Sequence, residues 1–522
     1  MEITIDAFTK ELLDNIFVDG QGEAVEATKK ELREQFKTAH EGKKTAPILE
    51  FFGRLKALKE DNDVSAAQLG FTRSELEELA SRHYHLDNHG VSVGGRLERA
   101  LAIVAAANER VADYVNRKTK EAPSGIECWA EIQENMGRIR QELGMTEDEW
   151  NSYEGQLKYA IDDAETLCRI LELPKGSRED VERVTKQYRM RLTPYYAALI
   201  ERGKLNDPVL LQAVPTGEMV DNVGEEIPPV AADHSPARLV DQFYPRVVTI
   251  KATNICAMYC THCLRIAHIG KKDRIYSKEA YDEALNYIWN NDYIRDVLIT
   301  GGDAFVLPDE NLRWLLGELD KIPHLKVKRM GTRIPVTTPM RVTDSLLDVL
   351  EESNDRKPIR VVTQVNTARE ITPLSQSAFR RIAKRVSTIL NQAVLLRGIN
   401  DSKVKMWKLC ETLQEADIRP YYVFNCSYRN PQFTHMRVPI EKGRDIIEGM
   451  YGNISGDAIP RYIATCGGKV PLHRNNVVGR EEGTVILRKP WSGEEARYPD
   501  ASPEVYDAND IFAFAKYAKD DE

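Results

Sequence analysis

Long apolar runs are missing from this chain: none approaches the roughly 20 residues that a membrane-crossing helix needs, so no membrane partner is expected. A basic excess is missing too. The formal net charge is −9, whereas nucleic-acid binding normally shows a basic stripe or domain, so no nucleic-acid partner is expected. Cysteine is sparse, with 8 in 522 residues at uneven spacing. That excludes the disulfide framework of a small secreted protein and fits a reducing cytoplasm. The opening Met1-Glu2-Ile3-Thr4 has no basic segment followed by an apolar one, so no secretory signal is read there and a cytoplasmic location is expected. Small-molecule substrates remain.

What is present suffices for a large core. Apolar residues make up 42% and charged residues 29%, an ordinary globular balance. The 522 residues exceed the roughly 250 to 300 at which single cores stop growing, so two or three units are expected. Residues 1 to about 205 read as helices, with apolar positions at helical spacing in Phe8, Leu12, Leu13 and Ile16, from Leu69 to Leu79, and in Leu97, Leu101, Ile103 and Val104. Thr146 before three acids marks a helix start, and Pro174-Lys175-Gly176-Ser177 marks a break. Packing or oligomer contact is the expected role of this region.

From Leu205 to His234 the chain is rich in Pro, Gly, Asp and Glu and reads as an extended linker. Beyond it, strand candidates at 246–252, 297–300, 326–330, 359–364, 387–396 and 419–424 alternate with helical stretches at 278–289, 309–322, 344–352, 375–386 and 403–416. Strand and helix in turn predict an α/β fold with a parallel sheet, a partial or full β/α barrel, with function at the carboxyl ends of the strands.

Cys256, Cys260 and Cys263 follow the first of these strands. Three thiolates leave one iron of a four-iron cluster open to another ligand, because a fully ligated cubane takes four. A zinc knuckle completed by His262 or His268 and a chance cluster are the alternatives. Gly301-Gly302-Asp303 directly follows the second strand, where bare backbone can approach a ligand or simply make a tight turn. Gly467-Gly468-Lys469 before Val470-Pro471 can present an amine to a carbonyl, as a Schiff base with pyridoxal 5'-phosphate (PLP) requires, or can be a surface turn.

The cysteine spacing, with His262 before the last cysteine, resembles the signature of enzymes that cleave S-adenosylmethionine (SAM) to a radical. Arg191-Leu192-Thr193-Pro194-Tyr195-Tyr196, Asn206-Asp207-Pro208, Tyr244-Pro245, Gly301-Gly302-Asp303, Arg333, Glu370-Ile371-Thr372-Pro373, the segment 392–401, Arg419-Pro420-Tyr421-Tyr422 and the Lys469 segment occur in the order seen in one family. The chain is thereby similar to the lysine 2,3-aminomutase family of PLP-dependent radical SAM enzymes, from about residue 191 to residue 499, with a looser likeness back to Trp129.

The resemblance implies a radical SAM partial β/α barrel with a long all-helical N-terminal region and a small C-terminal extension. Its divisions fall at 1–120 (helical, of unknown role), 121–235 (helical and linker), 236–425 (barrel core) and 426–522 (lysine segment and C-terminal region). It implies a [4Fe-4S] cluster on Cys256, Cys260 and Cys263, and SAM against Gly301, Gly302, Asp303 and Gln392. It implies PLP on Lys469, the catalytic lysine, and the substrate carboxylate on Arg265. The reaction implied is migration of an amino group from C2 to C3 of an L-α-amino acid through a 5'-deoxyadenosyl radical. An external electron donor such as flavodoxin or ferredoxin, and a homo-oligomer, go with it.

Several positions depart from the family. Ser427 stands where the lysine enzyme has an aspartate for the substrate ammonium, and Thr465 and Cys466 stand where a second is found. A buried lysine ammonium without counter-charges costs several kcal/mol, so a substrate other than lysine is expected, with Ser427, Arg429 and His435 near its tail. Phe243 replaces a basic residue before Tyr244-Pro245, which leaves Arg246 or Arg333 for the PLP phosphate, and Arg333 counts among the cofactor-binding residues. Gln364 replaces a histidine, and Ser402 replaces a cysteine associated with interface zinc, so no zinc is expected. Alternative outcomes are a PLP-dependent radical SAM desaturase and a non-catalytic iron-sulfur sensor.

Overall fold

The computed structural model describes residues 7–41, 46–81, 93–222, 234–274, 276–502 and 513–517. It divides into two compact units at Ala112 and Asp113, within the helix Val93–Glu121. In the first unit, helices Ala7–Phe17, Glu26–Glu41, Ala46–Asn62 and Arg73–Ser81 enclose Leu13, Ile16, Leu32, Phe51, Leu55 and Leu76. Leu101, Ile103 and Val104 are 51%, 70% and 54% exposed, so the apolar spacing on that helix does not mark a core face.

The second unit carries a nine-stranded sheet in simple sequential order: β1 (Val240–Tyr244), β2 (Val247–Thr253), β3 (Asp296–Gly301), β4 (Val327–Gly331), β5 (Ile359–Thr363), β6 (Thr388–Leu395), β7 (Arg419–Asn425), β8 (Arg461–Thr465) and β9 (Lys469–Pro471). Neighbours from β2 to β8 pair in parallel, while β1 and β9 are antiparallel edges. The sheet curls into a partial barrel. The amine of Lys469 on the last strand lies 5.4 Å from the ring centroid of Tyr244 on the first.

Alternation along the strands sorts side chains between an outer face and a lumen. On β3, Val297 and Ile299 are buried under the covering helices, whereas Asp296, Leu298 and Thr300 are half-buried. The helix Asp309–Lys321 buries Leu312, Leu315, Leu316 and Leu319, each contributing about 1.5 to 3 kcal/mol of apolar burial. Thr343 and Thr372 cap the helices Asp344–Asn354 and Pro373–Ala383 by accepting from the amides of Leu346 and Ser375. The sequence pattern missed β1, β8 and β9 and the small sheet of β10 (Val477–Glu481), β11 (Thr484–Arg488) and β12 (Glu495–Pro499), because these are short, polar or edge strands.

One expectation is corrected. The segment from Leu205 is no extended linker, for it contains the helical turns Leu210–Ala213 and Glu218–Asp221 with Leu210, Leu211 and Val214 buried. Buried Asp207 starts the first turn by accepting from the amides of Val209 and Leu210. Residues 223–233 of the expected linker lie outside the described residues.

Candidate active site

The cysteine loop leaves the carboxyl end of β2 and is clamped by the segment before the barrel. The Tyr259 amide donates to the Arg191 carbonyl at 3.1 Å, and Thr261 donates through its amide to Gln212 and through its hydroxyl to Leu211. Burial pushes the Cys256 thiol well above its usual range, with Asp303 and the two other cysteines adding to the effect. The Cys263 thiol is pushed up to about 12, by burial and then by Cys260. Cys256 and Cys263 thiols that resist ionisation alone suit a group whose iron binds them as thiolates, since metal ligation drives deprotonation.

Arg333 lies against this loop. Its Nη1 donates to Cys260 Sγ at 2.7 Å, its Nη2 to Glu370 Oε1 at 2.6 Å and to Tyr196 Oη and Gln212 Oε1 at 3.1 Å, and its Nε to the Gln364 carbonyl at 3.0 Å. Glu370 is fully buried. Arg333 is therefore committed to the cluster loop, and Arg329 supplies the guanidinium charge felt at Lys469. Arg246 points its Nε to the Tyr293 carbonyl. His262 is buried and held neutral, pushed down to about 3 by burial and then by Arg333. Its Nε2 meets Gln364 and Asn366, while its Nδ1 is buried without a partner.

Gly301, Gly302 and Asp303 brace the cysteine loop. The amides of Gly302 and Asp303 donate to the carbonyls of Thr253 and Ile255 at 2.5 and 2.9 Å. A Cβ on Gly302 would stand 2.2 Å from the Ile255 carbonyl oxygen, and Gly301 has φ +113°. The carboxylate of Asp303 accepts from the Arg333 and Phe305 amides at 2.6 and 3.0 Å. The tight packing that spacing alone allowed is real, and it locks β3 to the loop. Gln392, on β6 opposite Tyr422, is half-buried.

Arg265 follows the last cysteine, half-buried, with its Nη1 buried and unpartnered. Burial pulls its pKa down, opposed by Asp241, Cys263 and Cys256. A guanidinium edge without a partner suits a carboxylate ligand. Lys251 pairs with Asp241 at 2.7 Å, with both side chains about one-fifth exposed. Nothing in the sequence singled out this ion pair, because a lysine inside a Val-Val-Thr-Ile-Lys-Ala-Thr strand reads as solvent-facing.

Lys469 opens β9. Gly467 holds φ +67°, and a Cβ on Gly468 would stand 2.6 Å from the Trp491 indole, so both glycines are required by the turn. The Lys469 amine lies 4.9 Å from the Tyr422 ring centroid and 5.4 Å from that of Tyr244, and it makes no ion pair among the described residues. Burial and then the Arg329 charge pull its pKa down, opposed by Asp296, to about 8. Arg329 donates from Nε to Asp296 Oδ1 at 2.7 Å. A largely dehydrated, unpaired amine between two aromatic faces is what an aldehyde-bearing ring needs to react and stack. Arg329 and Tyr422 were missed as site residues, although strand alternation places both on the lumen side.

Ser427 follows β7, where its Oγ accepts from the Arg429 amide at 3.2 Å. Arg429 is exposed and lies over Tyr428, Thr465 is exposed, and Cys466 is buried. His435 meets Asn222 at 2.8 Å, so its ring is part of a structural contact.

A parallel half-barrel with a three-cysteine loop on its first parallel strand defines a radical SAM enzyme, and residues 250–420 match the Radical SAM superfamily. Over 408 residues the chain is 36% identical to glutamate 2,3-aminomutase of Clostridioides difficile, covering 77% of this chain and 94% of that enzyme. It is 36% identical over 349 residues to L-lysine 2,3-aminomutase of Clostridium subterminale, covering 66% and 83%, and 37% identical over 351 residues to that of Methanococcus maripaludis, covering 66% and 80%. The chain belongs to the amino-acid 2,3-aminomutase family of radical SAM isomerases. The cofactors of that family are a [4Fe-4S] cluster, SAM and PLP.

Proposed function

We propose that this chain is a PLP-dependent 2,3-aminomutase acting on an L-α-amino acid other than lysine. The observation that carries the reading is the dehydrated, unpaired Lys469 amine, with a pKa near 8, inside a barrel whose carboxyl-terminal rim bears the cysteine loop. Bound there, the cluster and SAM supply a carbon radical, and PLP supplies a ring that delocalises it. The chain's own residues hold and orient. Cys256, Cys260 and Cys263 anchor the cluster, and Gly301, Gly302 and Asp303 fix the loop that carries it. Arg265 offers its free guanidinium edge to the substrate carboxylate, and Lys469 positions the ring.

Substrate choice follows from the tail end. Ser427 offers a hydroxyl and Thr465 and Cys466 offer no charge, so a substrate ammonium meets no carboxylate there. Similarity to a glutamate enzyme fits a substrate whose side chain is not cationic. The test is anaerobic incubation of reconstituted protein with SAM, a low-potential reductant and the twenty amino acids, followed by mass spectrometry. A β-isomer of unchanged mass from a non-lysine substrate supports the reading. Conversion of lysine alone overturns the substrate assignment, and a product two hydrogens lighter identifies a desaturase.

A further inference from the structure

The amino-terminal mouth of the barrel, opposite the cysteine loop, holds a cavity of about 340 Å³ lined by Arg360, Arg419, Arg461, Thr388 and Tyr421, among others. None of these three arginines has an ion pair or side-chain hydrogen bond among the described residues. The carboxylate of Asp457 feels the charge of Arg419, but it is held by Ser455 and Gln414. In a chain of net charge −9, three guanidinium groups facing one cavity without a counter-charge make an anion site.

Strand register connects this mouth to Lys469. Arg360 on β5 pairs with Arg329 on β4, the residue whose charge depresses the lysine, and with Thr388 on β6. Arg461 on β8 pairs with Tyr422 and lies 5.9 Å from the Tyr421 ring centroid, and the two tyrosine centroids are 4.0 Å apart. The Lys469 amine is 4.9 Å from the Tyr422 ring. The tyrosine pair Tyr422 and Tyr421 thus links the surroundings of the amine to those of Arg461. Phe243, 57% exposed, and Arg246, turned to the Tyr293 carbonyl, take no part.

We infer that Arg360, Arg419 and Arg461, with the Thr388 hydroxyl, hold the phosphate monoester of the coenzyme whose aldehyde end reacts with Lys469. This rests on the PLP reading above, and the experiment separates the two. Protein freed of coenzyme is titrated with PLP and with pyridoxal, which lacks the phosphate, while the near-visible band of the lysine adduct is followed. Inorganic phosphate serves as competitor.

Wild-type protein is expected to prefer PLP over pyridoxal, and millimolar phosphate should weaken PLP only. In Arg360→Gln/Arg461→Gln that preference should fall about 10- to 100-fold, as for lost charge-assisted hydrogen bonds, with pyridoxal affinity unchanged. Arg461→Lys should retain part of it. Equal weakening of PLP and pyridoxal, or an unchanged preference, would overturn the assignment while the adduct itself still formed. Phosphate binding that leaves PLP affinity untouched would also overturn it, by assigning the mouth to a separate phosphorylated ligand. Absence of any adduct that Lys469→Ala removes would instead sink the PLP reading.

Discussion

Replacing Arg333 with Met tests the electrostatic frame of the cluster loop. The guanidinium faces Glu370, which has no solvent exposure, and four further acceptors: Cys260 Sγ, Tyr196 Oη, Gln212 Oε1 and the Gln364 carbonyl. Breaking a buried ion pair from one side costs about 3 to 5 kcal/mol, because the remaining charge is uncompensated. Glu370 keeps some support, since the Asn366 and Thr367 amides donate to its Oε2 at 2.8 and 3.0 Å and the Tyr196 hydroxyl to its Oε1 at 2.9 Å. The expectation is therefore the lower part of that range, about 3 kcal/mol. Glu370→Gln alone should also destabilise, whereas the double variant Arg333→Met/Glu370→Gln should recover about 1 to 2 kcal/mol relative to Arg333→Met, as a coupled pair does. Denaturant unfolding of the coenzyme-free protein measures this. A loss below about 1 kcal/mol, or a double variant no better than the single one, would refute the reasoning. A second readout concerns the thiolate: an N–H donor and a positive charge at a cluster sulfur raise the reduction potential. The reconstituted Arg333→Met protein should show a more negative midpoint by EPR-monitored titration.

Because the Lys469 amine titrates near pH 8, formation of the lysine adduct should slow about tenfold per pH unit below that value and level off above it, followed by absorbance. The same depression makes the folded state bind fewer protons than the unfolded one between about pH 8 and 10.4, so stability should rise with pH across that window. Lys469→Met should be more stable than wild type at pH 7, by at most about 3 kcal/mol. Gly302→Ala pushes a methyl onto the Ile255 carbonyl oxygen, 2.2 Å away; reduced iron content per chain with a near-normal circular dichroism spectrum is expected, and full iron loading would contradict the bracing role. Ser427→Asp adds the missing counter-charge and should strengthen lysine binding by about tenfold or more, roughly 1.4 kcal/mol, read by competition with the natural reaction.

Much of the fold was legible in residue order. Helices Lys278–Trp289, Asp309–Lys321 and Lys403–Glu415 match the stretches expected from periodicity to within a residue, because each repeats buried apolar positions at helical spacing. The parallel strands were legible as short apolar runs. The Cys256, Cys260 and Cys263 spacing and the Gly467-Gly468-Lys469 turn carried the family, since chemistry fixes their residue types and local geometry fixes their spacing.

Lumen and mouth were another matter. Asp296, Arg329, Tyr244 and Tyr422 meet Lys469 only because a curled sheet brings its first and last strands together, and no local pattern encodes that closure. Arg333 looked like a phosphate ligand until its burial beside Glu370 and Cys260 was seen. The run of residues specified strands, caps and a cluster loop by local propensity and spacing. Which charges face one another across the barrel was decided by register and curl, which depend on every strand at once.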